Sequence, residues 1–217
     1  MGIVFAGWLA LTSAFGATLV EPCVDYNADP SRLVELEQLS ARGALTPEQV
    51  VCLEASYKVS KVQTTKSKIS RVEIANAYAS DTMQWAKLVQ RHLDEVDRSD
   101  PDIAFLYGFY LYNRPQPSYT EVIKWIDVAL ERRDAWTGET YVGRVHKLHR
   151  IRTLARFQQW QAAAAASKTT TPAIDELRNQ VKTAAREWMD FARSAGKDAK
   201  EAEQICVSAA SAQACGL

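Results

Sequence analysis

The sequence predicts an all-α chain: a short solenoid of antiparallel helix hairpins with capping helices at its N- and C-terminal ends. Three observations lead there. Two stretches in the middle of the chain match each other at helical spacing. Gly (9) and Pro (7) are scarce, as long helices joined by short turns require. Runs of alternating Val, Ile and Thr, the mark of half-buried strands, are nearly absent. Hydrophobic residues make up 47% and charged residues 24% of 217, a globular composition. Lys plus Arg (26) balances Asp plus Glu (26). The chain therefore lacks the cationic surplus that neutralises several phosphates, and nucleic acid is not expected as a partner.

The first twenty residues, MGIVFAGWLALTSAFGATLV, carry no charge. Such a run suits the apolar region of an export signal, a membrane anchor or a buried terminal helix. Ala14-Phe15-Gly16 puts small residues where a signal peptidase reads them, with cleavage before Ala17. Residues 1–16 are then a signal peptide or anchor, and 17–217 a single helical-repeat domain. Left uncut, residues 3–20 would tether the protein to a membrane. The absence of Lys or Arg near Met1 departs from the usual signal. Glu21-Pro22 is too bulky and stiff for a lipid-attachment site at Cys23. Export would place the protein in the periplasm or cell envelope of a Gram-negative bacterium.

Cys23, Cys52, Cys206 and Cys215 lie towards the two ends, and none shows the two-residue spacing of a zinc or thioredoxin motif. In an exported chain they read as two disulfides, and in a cytosolic one as buried thiols. Four cysteines allow three connectivities. Cys23–Cys52 with Cys206–Cys215 is favoured because each closes a local loop.

Residues 24–69 read as a leading helix pair. Asp29-Pro30-Ser31 starts the first helix, Leu33, Leu36 and Leu39 share a face, and Gly43 ends the run. Thr46-Pro47-Glu48-Gln49 starts the second with a capping box and a first-position proline. Val50, Leu53 and Tyr57 form its apolar face. Thr64-Thr65-Lys66-Ser67-Lys68 is expected as a polar joint to the central array.

The repeat spans 70–133 within a core of 70–168. Ile74-Ala75-x-Ala77-Tyr78 is matched 31 residues on by Phe105-Leu106-x-Gly108-Phe109. Val89, Leu93, Asp94 and Val96 are matched 33 residues on by Val122, Ile126, Asp127 and Ala129. Ala77 and Gly108 are small enough to let helices approach closely, and the large apolar residues fill the seam. Asp81 and Ser118 stand where N-caps are needed. Pro101 follows the charged run DEVDRSD, where one helix stops and the next begins.

This pattern resembles the tetratricopeptide repeat, a helix–turn–helix unit of about 34 residues. Counted back from Pro101, Ala77 falls on the small residue of the first helix, and Val89, Leu93 and Val96 fall on the second. The family's first-helix Trp and Tyr are not matched in register, and Val89 and Val122 replace a small second-helix residue. The resemblance covers 70–135 well and 46–163 loosely, and it implies a right-handed solenoid. The stretches LSARGALTPEQVVCLE, ISRVEIANAYA and WIDVALERRDAWTGETYVGRV also resemble small exported, functionally uncharacterised proteins of myxobacteria-like bacteria.

Beyond the repeat, Thr137 is expected to cap a third hairpin or a single long helix through Tyr141, Val145, Leu148, Leu154, Phe157 and Trp160. Thr171-Pro172 is the clearest break. A long helix then carries Leu177, Val181, Ala184, Trp188 and Phe191 to a stop at Gly196, and a short one covers Ala202–Ala210. These C-terminal helices, 169–217, cap the array.

Chemistry-bearing motifs are sparse. His146 and His149, three apart with Glu139 nearby, lack the spacing of a helical zinc site and sit among Arg144, Lys147 and Arg150. His92 is alone in a charged helix. Asp94, Glu95, Asp97 and Asp100 read as a solvated acidic face and not a Ca²⁺ loop. No nucleophile elbow or phosphate-binding loop is present. No cofactor, metal or catalytic residue is expected. The aromatic set is denser: Phe105, Tyr107, Phe109, Tyr110 and Tyr112 circle one helix. Most such residues pack as core, but Tyr107, Tyr110, Tyr119 and Tyr141 could line the concave groove of an array. Arg114, Arg132 or Arg133 would then meet a carboxylate. The expected function is a non-catalytic envelope scaffold that binds a peptide or partner helix. A structural subunit of an oligomer, or an enzyme with a dispersed site, are the alternatives.

Overall fold

The computed structural model describes Cys23 and residues 25–80, 82–167 and 169–217. The expected signal or anchor, the tether and the Asp81 cap lie outside the described residues. Within them the chain is all-helical and has no strand. The helices are α1 (Leu33–Ser40), α2 (Pro47–Val59), α3 (Gln63–Ser80), α4 (Thr82–Glu95), α5 (Pro101–Tyr112), α6 (Tyr119–Glu131), α7 (Gly138–Ala166), α8 (Pro172–Ser194), α9 (Lys200–Ala209) and α10 (Ala212–Cys215). Single 3-10 turns at Pro30–Arg32 and Arg133–Ala135 precede α1 and α7. No described helix is long and apolar enough to cross a membrane.

Local chemistry sets the boundaries. Thr46 accepts from the Gln49 amide at 3.2 Å while the Gln49 side chain accepts from the Thr46 amide at 2.9 Å, so the expected capping box forms. Thr171 caps α8 ahead of Pro172, and Gly196, at φ +65°, follows its end in a left-handed conformation that favours glycine. Ser118 sits at the N-cap of α6 but makes no side-chain cap bond.

One expectation changes, and one open alternative closes. Residues 64–68 are not a joint: they form the first turns of α3, with Thr65 buried. A buried seam of Ile69, Val72 and the residues beyond continues the helix through them, and tertiary packing overrides the polar composition. The stretch after Thr137 is one 29-residue helix, α7. Its Ala-rich end propagates the helix where a third hairpin would have turned.

Packing follows chain order. α3 lies on α4, α5 on α6 and α7 on α8, while α6 also runs along α7 and α8 along α9. Short connections favour an antiparallel arrangement of such neighbours. The leading helices depart from the expected pairing: α1 and α2 each make their main contacts with α3. Leu33, Leu36, Leu53 and Tyr57 meet Ile69 and Val72 there in a first core. A central core holds the repeat, with Val89, Leu93, Val122, Ile126 and Ala129 all fully buried. A third core joins α8 to α9 around Trp188 and Met189. Gly108 lets α5 meet α6 closely, since a Cβ there would lie 2.7 Å from Ile126 Cδ1. Gly108→Val is therefore expected to lower stability by about 1–3 kcal/mol, read as a lower urea midpoint at unchanged slope.

The disulfides are Cys23–Cys52 and Cys206–Cys215, with Cα–Cα distances of 5.1 and 6.0 Å. The first fastens the incoming chain to α2, and the second clips α10 onto α9. Their presence fits an oxidising, extracellular environment.

Candidate functional site

An open cleft of about 550 Å³ lies where α3 turns into α4 and α5 into α6. Tyr78 from the end of α3, Trp85 from the start of α4, and Leu106, Phe109 and Tyr110 from α5 form its walls. Asn113, Arg114 and Pro115 form its lip. The lip is shaped by the α5 terminus, where the Asn113 side chain donates to the Phe109 carbonyl at 2.6 Å. Trp85 is the floor, 2% exposed, with edge-on contacts to Tyr78 at 5.5 Å and Tyr110 at 5.1 Å. Tyr78 is 68% exposed and stands as the outer wall. Tyr107 stacks on Tyr110 at 6.3 Å and meets Trp125 at 5.8 Å, so it supports the wall from within.

The six expected binding residues thus divide. Tyr110 and Arg114 line this cleft and Tyr107 backs it. Arg133 and Tyr141 line a different one, between α6, α7 and α8. Tyr119 is half-buried against the central core and borders neither. The sequence does not single out Trp85, and it marks Tyr78 only as part of the repeat, because both lie on other helices than the aromatic cluster. Their signal was the Tyr78-to-Trp85 spacing across a helix–helix turn.

The second cleft, about 670 Å³, is walled by charge. Arg152 pairs with Glu187 and, at 3.3 Å, with Asp127, while Arg156 reaches Asp127 at 3.4 Å and the Gln180 side chain at 3.0 Å. Arg152 also donates to His149 Nδ1 at 3.1 Å. A guanidinium only donates, so Nδ1 is the acceptor and the imidazole proton sits on Nε2. Burial, then the Arg152 charge, pushes the His149 pKa down to about 3. His149 lies on Phe191 at 5.4 Å and His146 on Trp188 at 5.8 Å. Both histidines serve packing against α8, and no group of three or more His, Cys, Asp or Glu converges among the described residues.

One polar cluster overturns the reading of Asp100 as part of a solvated face. Asp100 is 1% exposed and His92 and Ser70 are 0%. His92 Nε2 donates to Asp100 Oδ2 at 3.0 Å, and Ser70 Oγ lies 3.1 Å from His92 Nδ1. Asp100 Oδ1 caps α5 by accepting from the Asp102 and Ile103 amides at 3.1 and 3.2 Å. Arg71 pairs with the same carboxylate. Burial pulls the Asp100 pKa upward, but the His92 hydrogen bond, the Arg71 charge and the Ile103 amide outweigh it and hold the carboxyl below its usual range. A hydroxyl, an imidazole and a carboxylate in line have the makings of an activated nucleophile. With the serine sealed between α3 and α4, they act instead as a lock on α3, α4 and α5. Asp102 extends the tie by accepting from Trp136 Nε1 at 3.0 Å and pairing with Arg144 of α7. The signal in the sequence was Asp100-Pro101, an N-cap followed by a first-position proline.

No family model, curated protein or solved structure matches the chain.

Proposed function

We propose that the protein is a non-catalytic binding module of the cell envelope, exported and folded as a short right-handed solenoid of helix hairpins, and that it holds a partner protein in the aromatic cleft. The observation that carries this reading is the cleft itself. Among the described residues, four aromatic side chains from three helices converge on an open, largely apolar surface with a single cation at its lip. Rigid aromatics on packed helices are suited to anchoring a partner's apolar side chains. The in-order packing of neighbouring helices supports the hairpin array, and the two disulfides support the exported compartment. The cleft lies at the edge where hairpins turn, so it, and not a concave face, is the proposed docking surface.

Tyr110→Ala is the test. In cross-linked envelope fractions, the intact protein is expected to retain a saturable partner, and Tyr110→Ala is expected to lose it by roughly tenfold or more in affinity. A variant that retains its partner at normal affinity removes the cleft from the proposal.

A further inference from the structure

We infer that the segment taken by the cleft is an acidic amphipathic helix, with an apolar side chain set among Trp85, Phe109 and Tyr110 and a carboxylate on the Arg114 guanidinium. This rests on the cleft reading above and adds the partner's conformation and charge.

Charge complementarity carries it. Among the described residues, Arg114 is the one charged residue lining the cleft, and no carboxylate lines it. Arg114 is exposed and forms no ion pair among the described residues. Glu121 is held by Lys124 at 3.2 Å, and Glu121, Asp94 and Arg114 all act on the Tyr107 phenol behind the wall. A second cation flanks the wall, with Lys147 Nζ 3.7 Å from the Phe109 ring centroid. A carboxylate arriving at the lip thus meets a guanidinium with no ion-pair partner among the described residues, able to bind it with two parallel hydrogen bonds. An ammonium would meet like charge.

The lining also selects backbone conformation. An extended peptide needs a row of main-chain partners, as an added strand finds at a sheet edge. Among the described residues the cleft offers rings, the aliphatic Leu106 and Pro115, one side-chain amide and one guanidinium. A helix satisfies its own backbone and presents anchors three and four residues apart, which suits such walls.

The test uses the full chain and two end-blocked amphipathic peptides with the same leucine face, one flanked by Glu and the other by Lys, titrated calorimetrically. The Glu peptide is expected to bind roughly tenfold or more tighter than the Lys peptide. The gap should narrow between about 0.05 and about 0.5 M salt. Arg114→Ala, at an exposed position with an unchanged melting temperature, should abolish the preference while both peptides still bind. Equal affinities, or a preference for Lys, overturn the acidic assignment and leave the cleft reading standing. Binding of neither peptide overturns both. Self-association that is lost in Tyr110→Ala, with no peptide binding, overturns the inference and gives the cleft to a second copy of the chain.

Discussion

Asp100→Ala is expected to lower the stability of the fold by about 3–5 kcal/mol, because it removes one partner of a buried charged network and leaves the others stranded. His92 Nε2 and Arg71 lose their shared acceptor, and the Asp102 and Ile103 amides lose the cap of α5. Urea unfolding should show a lower midpoint at unchanged slope, and a loss under about 1 kcal/mol would contradict the lock. Asp100→Asn retains an oxygen for the cap and should cost less. The pH dependence has a definite sign. The Asp100 pKa is lowered in the folded state, so its contribution is present above the ordinary aspartate value of 3.8 and is lost as pH falls through the folded one. Glu73 works the other way. Burial, against the opposing Arg91 charge, raises it from 4.5 to about 7, so its contribution is whole below 4.5 and lost as pH rises through about 7. Glu73→Gln should flatten that upper limb while leaving the acid limb in place.

Trp188→Ala is expected to cost about 3–5 kcal/mol through the cavity it leaves. Trp188 is the largest of the fully buried side chains. It sits in the core that joins α8 to α9, against Val181, Met189 and Ile205, with His146 of α7 on its edge at 5.8 Å. Removing it loosens the C-terminal cap from the long α7 helix, so limited proteolysis should cut first between α8 and α9. Val207→Ala, exposed on the same α9, should stay within about 0.5 kcal/mol and serves as the control. Comparable losses in the two variants would show that the third core does not hold the cap.

What was legible in the sequence follows from range. Caps, turns and breaks are local, and Thr46-Pro47, Thr171-Pro172 and Gly196 could be read directly. The repeat was legible because Val89 and Leu93 recur as Val122 and Ile126, and all four are buried. The local disulfide pairing was legible from proximity in the chain. Long-range pairing was not. Nothing in residues 33–59 reveals that α1 and α2 prefer α3 to each other. The lock joins Ser70, His92 and Asp100, whose separations carry no helical period, so Asp100 read as one of several surface acids. The binding residues were legible as chemistry but not as geometry: Tyr110 and Arg114 share a cleft with Tyr78 and Trp85, whereas Arg133 and Tyr141 belong to the charged cleft on α6–α8.

That division is the most direct point of attack on the functional account. The measurement is the affinity of the Glu-flanked peptide for four single variants: Tyr110→Ala, Arg114→Ala, Tyr141→Ala and Arg133→Ala. Tyr110→Ala and Arg114→Ala are each expected to weaken binding by roughly tenfold or more, while Tyr141→Ala and Arg133→Ala leave it unchanged. Loss at Tyr141 and Arg133 with retention at Tyr110 and Arg114 would contradict the functional account and move the binding surface to the cleft between α6, α7 and α8.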